Sequence, residues 1–190
     1  MTIQQFLFRN RSYTPLPFLS VMIIWASPSR MSLFIGLIVM ILGELIRYWG
    51  VSYAGSETRT TGGVGASKLV TSGPFGYVRN PLYTGNIMRY MGIGIISNAL
   101  FPYLQLAAFL YFFLQYYLII REEESFLNKE FGSEFQQYCR NVPRFIPRII
   151  RYESNSRVDV NWKNGLRSES RTFQAIVAVM ILILIRWTLR

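Results

Sequence analysis

The chain of 190 residues contains no histidine, one cysteine and one aspartate. Without histidine there is no imidazole base, no Ser-His pair and no histidine metal site, which removes most hydrolase chemistry. The lone Cys139 excludes an internal disulfide and a cysteine-cluster zinc site. Acidic residues are scarce, ten against twenty Lys and Arg, and five of the ten fall between Glu122 and Glu134. What is abundant is apolar: 51% of residues are hydrophobic, 16% are aromatic and the mean hydropathy is +0.24. That balance in a single-domain length points to a membrane protein.

Apolar stretches cover 16–26, 31–46, 82–96, 99–120 and 173–187. A membrane crossing needs about 20 predominantly apolar residues, which the fourth stretch meets comfortably. The first is short enough to be re-entrant, and Arg89 interrupts the third. The expectation is an all-α, polytopic bundle with four or five transmembrane helices, a single membrane domain over residues 1–190. Most of the basic residues lie before Leu16, in 50–80 and in 121–172, segments separated by even numbers of crossings if all five are real. The positive-inside rule then puts all three in the cytoplasm, in a bacterial plasma membrane or an endoplasmic reticulum membrane. The connections 27–30 and 97–100 become hairpin turns on the opposite side. Arg9 and Arg11 before an apolar run also resemble a signal peptide, but the second apolar run from Met31 favours a helical hairpin. The net charge of +10 is explained by this topology and by attraction to anionic lipid, with basic residues flanking spans and forming no face for nucleic acid.

Local signals are few. Residues 54–67, rich in Gly, Ser and Thr, read as a lid or linker and lack the ending of a P-loop. Asn80-Pro81 reads as a helix N-cap and first turn. The helix from Ala99 is expected to run beyond the bilayer to Phe131, with Gly132 ending it. The alternation of apolar residues, Pro and Arg in 142–147 suits an irregular interfacial segment, and 148–172 reads as a polar, basic stretch.

Several residues are candidates for chemistry. Glu122, Glu123 and Glu124 stand where an apolar segment ends, and helical spacing turns at least one carboxylate into the bundle. It can bind ribose hydroxyls or an ammonium group, or balance a sulfonium; the alternative is a solvated acidic face. Arg79, Asn80, Pro81 and Tyr83 form either a capped helix start with interfacial residues or an anion site at a helix N-terminus. Gly92 and Gly94 serve close helix packing or the approach of a flat ligand ring. Glu44 with Arg47, and Glu44 with Arg89, are possible ion pairs within or near spans.

The run Ser72-Gly73-Pro74-Phe75-Gly76-Tyr77-Val78-Arg79-Asn80-Pro81-Leu82-Tyr83-Thr84-Gly85 resembles the Gly-Pro-Tyr-x-x-Val-Arg-His-Pro-x-Tyr-x-Gly signature of isoprenylcysteine carboxyl methyltransferases and related phospholipid methyltransferases. Glu123-Glu124, Leu127, Phe131-Gly132, Tyr138 and the Val142-Pro143-Arg144-Phe145-Ile146-Pro147 run are similar to its second half, and Gly92-x-Gly94 to a small-residue motif of phosphatidylethanolamine N-methyltransferases. The likeness covers residues 69–147, and 173–187 lies outside it as an additional C-terminal transmembrane helix. It implies an integral membrane enzyme that uses S-adenosyl-L-methionine on a lipophilic acceptor, an isoprenylcysteine-like carboxylate or a phospholipid-like amine. Arg79, Asn80, Tyr83 and Arg144 would then be catalytic, and Glu123, Glu124, Arg79, Tyr83, Gly92 and Gly94 would bind cofactor. Asn80 stands where the family usually has His, and cannot accept a proton.

Methyl transfer demands collinear placement and exclusion of water more than a proton acceptor, so it tolerates a chain without histidine. An NADPH-dependent membrane reductase of the sterol type and a non-catalytic subunit binding anionic lipid are the rival readings.

Overall fold

The structure, a computed structural model, describes residues 3–55, 68–153 and 159–189. Among these are six α-helices and no strand: α1 (Ile3–Asn10), α2 (Leu16–Ile24), α3 (Arg30–Ala54), α4 (Pro81–Ser97), α5 (Tyr103–Asn141) and α6 (Trp162–Thr188). The expected lid or linker at 54–67 lies, beyond Gly55, outside the described residues. Three helices, α3, α5 and α6, are long and apolar enough to cross a membrane. Helix α4, with 17 residues, is about 26 Å long, and the nine-residue α2 is too short to span alone. The bundle is wrapped in large exposed apolar side chains, among them Phe34, Ile38, Leu45, Leu110, Leu114 and Ile181. A surface of that kind is stable against hydrocarbon, not water.

Glycine sets the tightest contact, between α3 and α4. A Cβ on Gly43 would lie 2.8 Å from the backbone of Gly85 and Arg89, and one on Gly92 would lie 2.5 Å from the amide nitrogen of Met40. Small residues at these crossings let the two backbones nearly touch. Helix α3 opens with a capping box between Ser29 and Ser32. Asn98 closes α4 in the left-handed region (φ 50°, ψ 19°), and its side-chain Nδ2 donates to Ser27 O at 3.1 Å. Ser27 N donates in return to Ser97 O at 2.8 Å, so the α2–α3 and α4–α5 turns are stitched together at one end of the bundle. Arg186 of α6 donates to Ile24 O at that same end. The candidate site lies at the other.

The helix expected to end at Gly132 does break there (φ 49°, ψ −120°), in a conformation reserved for glycine, but a second helical stretch that was not expected follows to Asn141 as the rest of α5. Two other expectations are corrected. Helix α6 begins eleven residues before the predicted apolar span. Its buried stripe of Gly165, Glu169 and Ile183 follows helical spacing, and Glu169 is fully buried. That carboxylate is bonded by Arg47 Nη2 at 2.8 Å, so Arg47 pairs with α6 instead of Glu44. Glu44 pairs with Arg89 at 3.1 Å, as one reading expected, and Asn86 Oδ1 accepts from both arginines. One polar chain thus ties α3, α4 and α6.

Candidate active site

The loop before α4 is drawn tight by the Gly73–Gly76 3-10 turn, where a Cβ on Gly73 would strike the Tyr53 ring at 2.6 Å. It delivers Arg79 to Glu124, with Nε 3.1 Å from Oε1. From the other side comes Arg144, whose Nε donates to Glu124 Oε1 at 3.2 Å while Nη2 bonds Oε2. The forked arrangement gives charge-assisted bonds with fixed direction. Arg79 Nη1 also donates to the carbonyls of Cys139 (2.9 Å) and Val142 (2.6 Å), closing the end of α5 onto the loop. Twenty residues of unbroken helix would hold Glu124 and Arg144 about 30 Å apart. The reversal at Gly132 is what lets them meet.

Beside this clasp, Tyr83 OH donates to Glu123 Oε1 at 2.5 Å, and its ring lies 4.8 Å from that of Tyr116. Stacking continues inward through Phe112 to Tyr90. Burial pushes the Glu123 carboxyl up to about 7, although the Tyr83 bond and the Arg11 charge pull it down; the Glu124 charge adds to the rise. Arg144 is held above the ordinary arginine value, chiefly by its bonds to Glu124. A cleft of about 430 Å³ opens on the Glu124–Arg144 pair, with Arg121, Ser125, Asn128 and Gln136 on its walls. Cys139 also lines it, its thiol pushed up by burial and therefore a poor nucleophile.

Arg79, Asn80, Glu124 and Arg144 are therefore in one place, with Tyr83 and Glu123 alongside. Asn80 sits at the N-cap position, but its side chain makes no cap; its amide donates to Arg144 O at 3.3 Å. Gly92 and Gly94 do not join them. Gly92 packs on Met40 and Gly94 faces Met22 and Gln105, nine and eleven residues along α4 from Tyr83. Sequence reasoning missed Arg11, whose charge reaches Glu123, and Tyr117, whose ring lies 5.4 Å from the Arg144 guanidinium carbon. It also missed the two carbonyls that receive Arg79, for which no residue-level signal exists.

Residues 31–134, more than half of the chain, match the phospholipid methyltransferase family. The chain belongs to that family. The matched region carries α3, α4 and α5 as far as the Gly132 reversal, including both glutamates of the site. Among curated relatives, the chain is 35% identical over 132 residues to the cobalt-zinc-cadmium resistance protein CzcN of Cupriavidus metallidurans, covering 70% of this chain and 56% of that one. It is 31% identical to the nickel-cobalt-cadmium resistance protein NccN of Alcaligenes xylosoxydans, with the same coverage. To the protein-S-isoprenylcysteine O-methyltransferase of Tribolium castaneum it is 33% identical over 126 residues, 63% of this chain and 43% of that one. The chain thus spans about half the length of the curated relatives it matches. No group of three or more His, Cys, Asp or Glu able to hold a metal ion occurs among the described residues.

Proposed function

We propose that this family member is an integral membrane methyltransferase that uses S-adenosylmethionine and acts on a lipophilic acceptor, an isoprenylcysteine-like carboxylate or a phospholipid-like amine. The observation that carries the reading is the convergence of Arg79 and Arg144 on Glu124, from the two halves of the motif. The residues fit that cofactor: the cleft beside the clasp presents guanidinium groups for a carboxylate, and a carboxylate with side-chain amides for ammonium and ribose groups. Bound there, the cofactor would supply an electrophilic methyl group.

The protein's own contribution is placement. Arg79 and Arg144 hold Glu124 in one orientation, and Tyr83 does the same for Glu123. Glu123 and Glu124 would bind the ammonium and ribose groups, and the arginines the carboxylate. Tyr83 would offer its ring to the cofactor's positive charge, where cation–π attraction is worth about 0.5–2 kcal/mol. The stacked aromatic wall running inward from Tyr83 excludes water and suits an acceptor arriving from the bilayer. Asn80 offers no proton acceptor, which agrees with an acceptor that is already nucleophilic. We further propose that α4 is a fourth crossing with its Arg89 charge matched by Glu44, that α2 is re-entrant, that the site end faces the cytoplasm and that residues 1–190 form one domain.

The test is ligand stabilisation of the detergent-solubilised protein. S-adenosylmethionine or its demethylated product should raise the melting temperature, and Glu124→Gln should weaken cofactor binding at least about tenfold, or 1.4 kcal/mol. Affinity unchanged from the wild-type protein in both Glu124→Gln and Glu123→Gln would overturn the assignment. Stabilisation by NADPH alone would indicate reduction instead.

A further inference from the structure

The segment that presents Arg144 continues as Phe145, Ile146, Pro147, Arg148, Ile149 and Ile150, and among the described residues it is the most exposed apolar stretch outside the helices. Ile146 is 79% exposed, Ile149 96% and Ile150 74%. These side chains are not displayed by a loose loop. Arg148 N donates to Tyr77 O at 3.0 Å, Tyr152 N to Gly76 O at 2.9 Å, and Pro143 O accepts from Arg79 N at 2.9 Å. The backbone is pinned alongside the turn that leads into α4.

Its depth follows from two ring contacts. Phe145 packs on Phe113 with centroids 5.1 Å apart. Phe113 lies eight residues before Arg121, about 12 Å inward of the point where α5 turns polar. It shares the outward, apolar side of α5 with Leu110 and Leu114. Tyr77, which holds Arg148, packs on Trp49 at 6.0 Å, and Trp and Tyr pairs of this kind collect at the headgroup level. The segment therefore lies against the lipid-facing wall of the bundle, not above it. In the chain the isoleucines alternate with Arg148 and the exposed Arg151, with Glu153 two residues further on.

We propose that residues 145–151 form an interfacial anchor that buries Ile146, Ile149 and Ile150 among the acyl chains and binds anionic phospholipid headgroups through Arg148 and Arg151. An apolar tip with a basic rim is the pattern that binds such a surface. Because Arg144 directly precedes the anchor, the bilayer itself holds one arm of the clasp on Glu124.

The test is a spin label at position 149, introduced as Ile149→Cys in a Cys139→Ser background, with the protein in nanodiscs of phosphatidylcholine with or without phosphatidylglycerol. A second label at the exposed Lys129, beyond the polar boundary of α5, reports water. In discs containing phosphatidylglycerol, the label at 149 should be relaxed more by oxygen than by a dissolved nickel chelate, and the label at 129 the reverse. Adding Arg148→Gln and Arg151→Gln should shift the label at 149 toward the chelate and abolish its response to phosphatidylglycerol. A label at 149 reading like the one at 129 in both lipids overturns the anchor, and equal depth with and without phosphatidylglycerol overturns the anionic partner. The readout requires no methyl transfer, so the anchor and the proposed activity stand or fall separately.

Discussion

Glu124 accepts two arginines, and they are not equivalent. Arg79 has 12% of its side chain exposed and also ties down two carbonyls, whereas Arg144 is 30% exposed. Removing Arg79 leaves Glu124 with Arg144 alone and strands the Cys139 and Val142 carbonyls, so Arg79→Ala should cost about 3 kcal/mol in unfolding by denaturing detergent. Arg144→Ala should cost about 1 kcal/mol, because water can replace much of what it supplies. Glu123 makes a prediction in pH. Its carboxyl rises from 4.5 to about 7 on folding, so the folded protein keeps a proton that the unfolded chain releases. Its contribution to stability is present below about 4.5 and lost as pH rises toward 7. Glu123→Gln should therefore flatten the melting temperature against pH over that window, and an unchanged slope would show that Glu123 is not desolvated. At this scale the chain was legible where a charge is scarce: Glu124 stands out because acids are few, whereas Arg79 is marked by its place before a helix start and Arg144, one of twenty basic residues, only by the motif resemblance. Asn80 was less so, since its type fits a cap equally well and only the returning Arg144 carbonyl offers the better partner.

Between elements, the α3–α4 seam separates two glycines that look alike in sequence. A methyl group on Gly92 would press on the Met40 backbone at 2.5–2.7 Å, while on Gly94 it would meet the flexible end of Met22 at 3.1 Å. Gly92→Ala should cost about 1–3 kcal/mol through overpacking, and Gly94→Ala should be nearly silent in the same unfolding assay. Both should leave cofactor affinity intact if their role is packing alone. Hydropathy located α3, α5 and most of α6, because a lipid-facing side must be apolar. It misplaced the start of α6, where Lys163, Arg167 and Arg171 lower the average while every third or fourth residue still turns inward. The continuation of α5 past Gly132 was hidden for a different reason: glycine signals a break but not the direction taken afterwards.

For the molecule as a whole, α6 lies beyond the matched family region yet supplies the fully buried Glu169 to Arg47. Glu169→Gln should destabilise the protein by about 3 kcal/mol, and adding Arg47→Met should restore much of it by removing the stranded cation. Measuring both variants and their combination by detergent unfolding gives the coupling. An additive result would mean that α6 is held by apolar packing alone. No pattern in the sequence joins positions 47 and 169, since only the packed bundle brings them together. The turn at Gly132 has a broader bearing. The meeting of Glu124 with Arg144 depends on a pair of torsions at a residue with no neighbour within 4 Å of where a Cβ would stand. Clasp geometry and wall chemistry are consequently independent dials: a replacement at 132 would disturb the meeting of Glu124 with Arg144, while replacements at Asn128 or Gln136 would change the cleft's polar lining and leave the turn intact.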